Sequence, residues 1–245
     1  MVRPGQLGSR ARNPEENRHQ MRDIYHDELD EIGNRLEAMT QLVQEAMERA
    51  TNALLDGDLA GAERVISEDP HIDSLREELN ERTFQIIARQ QPVATDLRVL
   101  IATTHLVTDL ERMGDLALHV AKVARMRFPE IAVPEEVRDV ISQMGMVALS
   151  LVGKVAAVIK GRDVALAQAI EAEDDSMDAL HRKLFTLLLS PNWTHGIEAA
   201  IDMTLLGRYY ERYADHAVAV ARHVVYIVTG RIPEPLGTGL TQFSG

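Results

Sequence analysis

An internal repeat constrains the fold of this chain more than any other feature. The order of apolar and acidic residues from Asp58 to Leu75 returns from Asp163 to Leu180. Further along, identical residues recur in two predicted helices, namely Ile101/Ile201, Thr104/Thr204, Leu106/Leu206, Glu111/Glu211, Arg112/Arg212, Asp115/Asp215, Ala117/Ala217, Val120/Val220 and Ala121/Ala221. A repeat of roughly 100 residues predicts two structurally equivalent units in one chain.

Apolar residues spaced three or four positions apart predict six helices, three in each repeat. In the first helix this spacing runs through Leu36, Met39, Val43 and Met47. The predicted helices cover Ile24–Asp56, Leu59–Arg89, Ala94–Arg127, Glu135–Lys160, Val164–Leu189 and Thr194–Gly230. Aromatic residues, which favour strands, make up only 4% of the chain. We therefore expect an all-α fold of two tandem, pseudo-symmetric three-helix bundles.

Helix-breaking residues and the absence of apolar periodicity mark the linker between the bundles and the two ends of the chain. Residues 1–20 contain no apolar period, so we expect a disordered N-terminal extension. The first bundle is expected at 21–127 and the second at 135–231, with a Pro-bounded linker between them. Residues 232–245 are rich in proline and glycine and are expected to form a disordered tail.

Composition limits the compartment and the partners. The chain has no cysteine and a formal net charge of −12, which favours a reducing compartment and disfavours nucleic acid as a partner. The sequence shows neither an apolar run near the length of a membrane span nor a signal peptide. We expect a cytoplasmic protein that meets a membrane only indirectly, through its partners.

Acidic residues recur at the repeat spacing inside otherwise apolar stretches. Each predicted bundle carries two pairs of carboxylates, and the members of a pair are four positions apart, on one side of a helix. The pairs are Asp69 with Asp73 and Glu111 with Asp115 in the first bundle, and Asp174 with Asp178 and Glu211 with Asp215 in the second. Recurring apolar positions preserve a core, whereas recurring acidic positions among them require another explanation.

Metal binding is one such explanation. Two unit charges about 4 Å apart repel by about 4 kcal/mol at an effective dielectric constant of about 20. A multivalent cation would offset this repulsion. Carboxylate oxygens favour hard ions such as Mg²⁺, Mn²⁺, iron or Ca²⁺, whereas zinc usually takes His or Cys. The eight carboxylates are therefore candidate metal ligands.

Simpler interpretations of these carboxylates stay open. They can be solvated charges on helix surfaces, or they can pair with Arg112 and Arg212. Asp69 precedes Pro70 and can act as a helix N-cap. We expect His216, His223 and Trp193 to be packing or surface residues. The two histidines lack the repeat counterparts that mark the acidic pairs, and Trp193 lies in the predicted turn from Pro191 to Thr194.

Two stretches of the chain read QPVATDLRVLIATTHLVTDLERMGDLALHVAKVA and YYERYADHAVAVARHVVYIVTG. They resemble the first-repeat and second-repeat signatures of the PhoU family of phosphate-uptake regulators, and the resemblance extends from about Met21 to Gly230. The hallmark of the family is an E(D)xxxD motif in each bundle, which corresponds here to ERMGD from Glu111 and ERYAD from Glu211. Tyr209 stands where the first repeat has Asp109, so the two acidic faces are expected to differ.

The resemblance implies a cytoplasmic, non-enzymatic negative regulator with metal ions on its carboxylate faces. The ions would be iron, manganese or magnesium. The implied partners are the ATPase subunit of the phosphate ABC transporter and the sensor histidine kinase of the phosphate response. We further expect a homodimer.

Two other functions remain possible from the sequence. The first is a helical adaptor or scaffold protein that binds no metal. The second is a carboxylate-bridged di-iron enzyme, which needs a Glu-x-x-His from each of two helices. Glu68 and His71 supply one such motif, but the equivalent positions of the second repeat are Glu173 and Ser176.

Overall fold

The structure, a computed structural model, describes the backbone of residues 14–231 and the side chains of residues 25–231. It contains six helices: α1 (Pro14–Asp56), α2 (Leu59–Gln90), α3 (Ala94–Arg127), α4 (Glu135–Gly161), α5 (Val164–Leu188) and α6 (Gly196–Thr229). None of the described residues forms a strand. The all-α prediction is confirmed, and the bounds of α2 to α6 agree with the expected ones to about two residues.

The start of α1 differs from the prediction. The helix begins at Pro14, ten residues before the expected start at Ile24. Residues 14–20 are thus helical, and the expected disorder of 1–20 does not hold for them. The segment is rich in Glu, Arg and Gln, which extend an existing helix at little cost even without an apolar stripe. The rest of the expected extension, 1–13, and the expected tail, 232–245, lie outside the described residues.

The two repeats pack as two three-helix units with a shared core. Helices α1, α2 and α3 contact one another, as do α4, α5 and α6. Between the units, α1 packs on α4 and α3 packs on α6. Helices α1, α3, α6 and α4 therefore form a closed ring, and α2 and α5 cover two opposite sides of it. The buried apolar side chains form one continuous cluster across both units.

Side chains from both repeats meet at the centre of this core. The hydroxyl groups of Tyr210 and Thr51 are 2.8 Å apart, and the Tyr213 hydroxyl donates to the carbonyl of Val43 at 3.5 Å. Both tyrosines are fully buried. A Cβ atom at Gly145 would lie 2.6 Å from Cγ2 of Thr51, so this glycine lets α4 approach α1 closely. The repeats are thus joined by close packing and by buried hydrogen bonds.

Helix α4 is more apolar than the sequence analysis allowed. Among the described residues it is the one helix long and apolar enough to cross a membrane by length and composition. Its most apolar stretch is 44% buried within the protein, because α4 packs against α1, α5 and α6. The burial explains the composition, since a helix surrounded by other helices has little polar face.

An ion pair ties the end of α3 to the start of α6. The guanidinium of Arg127 donates to Asp202 at 2.6 Å and to Glu198 at 2.7 Å. Asp202 is buried, so Arg127 supplies the counter-charge that a buried carboxylate requires. The contact fixes the antiparallel arrangement of the two helices that carry the E(D)xxxD motifs.

Candidate functional site

The four acidic pairs lie on α2, α3, α5 and α6, two pairs in each unit. In the first unit a glycine brings the two pairs close. Gly114 lies between Glu111 and Asp115, and a Cβ atom there would lie 3.0 Å from Cδ1 of Ile72 on α2. Because Ile72 itself precedes Asp73, the close contact between α2 and α3 occurs at the level of the carboxylates. The sequence thus places the acidic pairs beside a close contact of the two helices.

All eight predicted ligands are half-buried, neither fully exposed nor enclosed in the core. In the first unit, burial raises the pKa of Asp69, and the charges of Asp73 and Asp115 raise it further. Burial likewise raises the pKa of Glu111, with Asp115 as the next cause. These carboxylates therefore perturb one another across the two helices, which purely solvated surface charges would not do.

The second unit shows the stronger perturbation. Burial, followed by the charges of Asp215 and Asp178, raises the pKa of Asp174 to about 7. Burial and the neighbouring Glu211 also raise the pKa of Asp215. Asp174 and Asp215 thus carry negative charge at neutral pH only at a cost in free energy.

Arginine side chains offset part of this charge. In the first unit, Arg112 donates to Asp115 at 2.8 Å, as the sequence suggested, and Arg76 lies 3.8 Å from Glu111. In the second unit Arg208, and not the predicted Arg212, makes the ion pair with Glu211. Arg208 and Glu211 are three positions apart on α6. That spacing suits an ion pair, and could have singled Arg208 out.

The chemistry of these carboxylates fits a hard cation, although their positions do not form a completed site. Among residues 25–231, no three His, Asp or Glu side chains are arranged to hold one ion. The donors are all oxygens, they are half-buried, and four of them resist ionisation in the absence of a counter-charge. Side-chain rotation would be needed to direct several of them to a common point.

Asp69 is not a helix N-cap. It lies inside α2, which begins with Asp58 as its N-cap and continues through Pro70. The N-cap role in the second repeat belongs to Asp163, which accepts hydrogen bonds from the backbone N–H groups of Ala165 and Leu166. The recurrence of Asp58 as Asp163 therefore preserves a helix start, whereas that of Asp69 preserves a member of the acidic cluster.

Glu68, the glutamate of the Glu-x-x-His motif in the di-iron interpretation, forms an ion pair between helices. The carboxylate of Glu68 is bound by Arg49 of α1 at 2.5 Å. The same pair recurs in the second unit, where Lys154 of α4 binds Glu173. These ion pairs hold α2 to α1 and α5 to α4, so the glutamates already serve a structural purpose in both repeats.

A polar cluster between the units was missed by the sequence analysis. On α3, Asp109 lies 3.0 Å from Nδ1 of His216 and 3.6 Å from Nε2 of His223, both on α6. The ring of His105 stacks on that of His223, with centroids 4.9 Å apart. These residues link α3 to α6. No local sequence pattern predicts a contact between two residues that are more than one hundred positions apart in the chain.

Comparison with known proteins agrees with this architecture. The family described as PhoU domain matches residues 36–124 and 141–224, one match within each repeat. The chain is 49% identical to the phosphate-specific transport system accessory protein PhoU homolog 2 of Mycobacterium tuberculosis, over 87% of this chain and 100% of that protein. It is 47% identical to PhoU homolog 1 of Mycobacterium leprae, over 87% and 96% of the respective chains.

A solved structure is also similar. The crystal structure of PhoU from Pseudomonas aeruginosa superposes with a TM-score of 0.75 at 29% sequence identity, covering 84% of this chain and 100% of that one. The helix order, the repeated acidic pairs and these matches lead to one assignment: the chain belongs to the PhoU family.

Proposed function

We propose that this protein is a metal-binding negative regulator of phosphate uptake and of the phosphate-starvation response. Its closely similar relatives are named accessory proteins of a phosphate-specific transport system, which supports a role in regulating phosphate transport. The observation that carries the proposal is the half-buried acidic cluster that recurs in both repeats of such a chain. Conservation of a packed core alone would not require carboxylates at these positions.

In this proposal the regulator acts by contact with two proteins, the ATPase subunit of the phosphate ABC transporter and the sensor histidine kinase. It works in the cytoplasm as a homodimer and reaches the membrane only through these partners. The surface charge supports protein partners over nucleic acid, because a net charge of −12 repels a phosphate backbone.

The metal ions of the proposal are iron, manganese or magnesium. Asp69, Asp73, Glu111 and Asp115 would hold cations in the first unit, and Asp174, Asp178, Glu211 and Asp215 would hold them in the second. A bound cation supplies positive charge that allows these carboxylates to ionise, and it fixes the spacing of two neighbouring helices. With this spacing fixed, each helix pair would present one surface geometry that a partner can recognise.

The metal-free adaptor is the second candidate, and one observation favours it. Arg112 and Arg208 already pair with Asp115 and Glu211, so each unit has part of its counter-charge without a metal. The two candidates differ in metal content after purification without chelator or affinity metal. They also differ in their response to chelation, because a cation at a hundredfold excess over its Kd stabilises the native state by about 2.7 kcal/mol.

A deletion strain tests the regulatory role. Loss of the gene should leave phosphate-starvation genes active when phosphate is plentiful, and the wild-type chain should restore their repression. A variant with Glu111→Gln, Asp115→Asn, Glu211→Gln and Asp215→Asn should restore it poorly. Normal repression in a deletion strain without a paralogue would reject the proposal.

The metal role has its own test. Glu111→Gln with Asp115→Asn should reduce the metal content of the first unit while the protein stays folded, as judged by circular dichroism. Glu77→Gln with Glu81→Gln, two exposed positions on α2, is the control and should leave the metal content unchanged. Equal metal content in both double variants would eliminate these ligands.

A further inference from the structure

Three histidines and one aspartate lie together at one end of the contact between α3 and α6. The rings of His105 on α3 and His223 on α6 stack almost in parallel, with centroids 4.9 Å apart and an angle of 8° between their planes. The carboxylate of Asp109 lies 3.0 Å from Nδ1 of His216 and 3.6 Å from Nε2 of His223. One carboxylate therefore faces several imidazoles.

The equivalent end of the same contact is built differently. Helices α3 and α6 are repeat counterparts that pack antiparallel, so their contact has two equivalent ends. At the four equivalent positions the chain has Leu205, Tyr209, Leu116 and Val123. Packing of the two units therefore does not require imidazoles at these positions, and their presence at one end needs another explanation.

The surroundings of His223 disfavour a charge on its ring. Its side chain is only 21% exposed. Burial lowers the pKa of His223, the charge of Asp109 opposes this effect, and His105 adds to it. A neutral His223 therefore suits the folded protein better than a protonated one.

Other charged groups near His223 are directed elsewhere. Arg222, its neighbour on α6, pairs with Glu171 of α5. Arg98 of α3 lies over the ring of Tyr226. Among the residues that the structure describes, α1, α2, α4 and α5 contribute no charge that shifts the pKa of His223.

We propose that the stack of His105 on His223 is a pH-sensitive contact between the two units. At neutral pH the two uncharged rings pack on each other and hold α6 on α3. In acid both rings take up a proton, and the two like charges 4.9 Å apart repel each other. The single carboxylate of Asp109 lies closer to His216 and cannot neutralise both. This end of the α3–α6 contact then opens.

Acid therefore destabilises the contact. A histidine whose pKa is lowered by folding contributes stability above its ordinary pKa of 6.5, and this stability is lost as the pH falls through the lower value of the folded state. The acidic cluster of the second unit responds in the opposite direction, because burial raises the pKa of Asp174 and its cost falls in acid. A comparison with variants that lack the histidine separates the two contributions, since both proteins keep the acidic cluster.

Hydrogen exchange of the full-length protein tests the proposal at pH 7.5 and pH 5.5, with intrinsic rates corrected for pH. In the wild type, protection of the segments around His105 and His223 should fall by about threefold at pH 5.5. His223→Phe keeps a flat ring in the stack but cannot be protonated, so these segments should keep their protection. Equal losses in the wild type and His223→Phe, or no loss in the wild type, would overturn the proposal.

His26→Phe is the control variant. It removes an exposed histidine whose ring packs on Tyr25 within α1, far along the chain from the stack. It should lose protection around His105 and His223 in acid to the same extent as the wild type. Protection retained in this variant would show that the effect does not arise at the α3–α6 contact.

Two further measurements hold even if His223→Phe disturbs folding. His105 is exposed, so His105→Phe preserves the fold, and it should lose less protection than the wild type because one of the two charges is absent. In an NMR titration of the wild type, the ring of His223, identified by nuclear Overhauser effects to His105, should be half-protonated below pH 6.5. A midpoint at or above 6.5, or a full loss of protection in His105→Phe, would also reject the proposal.

Discussion

Replacement of Asp174 by asparagine should stabilise the protein when no cation is bound. The carboxyl group is half-buried on α5, and burial together with Asp215 and Asp178 raises its pKa from the ordinary 3.8 to about 7. At neutral or higher pH the folded protein must hold this charge among other negative charges. Asparagine keeps the shape of the side chain and removes the charge.

The magnitude and its pH dependence follow from the two pKa values. The difference between 3.8 and about 7 corresponds to roughly 4 kcal/mol at most. Solvent screening of a half-buried group reduces this to about 1–2 kcal/mol. Below pH 3.8 the group is protonated in both the folded and the unfolded state and costs nothing. The cost grows as the pH rises from 3.8 to about 7, and above that it stays constant.

The assay is thermal and urea unfolding in EDTA at pH 8 and at pH 4.5. At pH 8, Asp174→Asn should raise the free energy of unfolding by about 1–2 kcal/mol and Tm by roughly 3–6 °C. At pH 4.5 most of this gain should vanish. Asp175→Asn, the same charge change at the exposed neighbouring position, should give a much smaller gain, because the charge of Asp175 contributes less to the raised pKa of Asp174 than burial, Asp215 and Asp178 do.

Addition of Mn²⁺ or Mg²⁺ should reverse the order of the variants, because a bound cation stabilises the ionised wild-type carboxylate. No gain for Asp174→Asn at pH 8 in EDTA would show that the half-buried charge carries no electrostatic cost. A gain as large at pH 4.5 as at pH 8 would show that the gain does not come from removing the charge. If metal leaves the stability gain of Asp174→Asn unchanged, the repulsion among the carboxylates is supported but Asp174 is not a metal ligand.

Three further variants and one control test the contacts between the units. Gly145→Ala should lower the free energy of unfolding in urea by about 1–3 kcal/mol, because its Cβ atom would press on Thr51. The control Gly153→Ala, in the same helix but with open space around it, should be neutral or stabilising by up to about 1 kcal/mol. Tyr210→Phe should cost about 1–2 kcal/mol, because the buried Thr51 hydroxyl then keeps only the weak acceptor Met47 Sδ at 3.7 Å. An unchanged urea midpoint would show that the sulfur satisfies it. Arg127→Met should cost about 3 kcal/mol at pH 7, because it leaves a buried carboxylate on α6 without its counter-charge, and a smaller loss at pH 4 would identify that charge as the cause.

Much of the candidate site could be predicted from the sequence. The spacing of Glu111 and Asp115, and its return at Glu211 and Asp215, places carboxylates on one side of each helix without any tertiary information. Their counter-ions could be predicted only in part. The three-residue spacing of Arg208 and Glu211 is visible in the sequence, but the choice of Arg208 over Arg212, the repeat counterpart of the pairing Arg112, is decided in the folded protein.

The sequence by itself determined the six helices, their repeat and the members of each acidic pair, because helical periodicity and spacings of four residues act over short distances along the chain. Only the tertiary structure decided that both units share one core, that Asp109 meets His216, and that Asp174 has a pKa of about 7. These properties depend on which faces of separate helices meet and how much water they exclude, and contacts between residues distant in sequence set both.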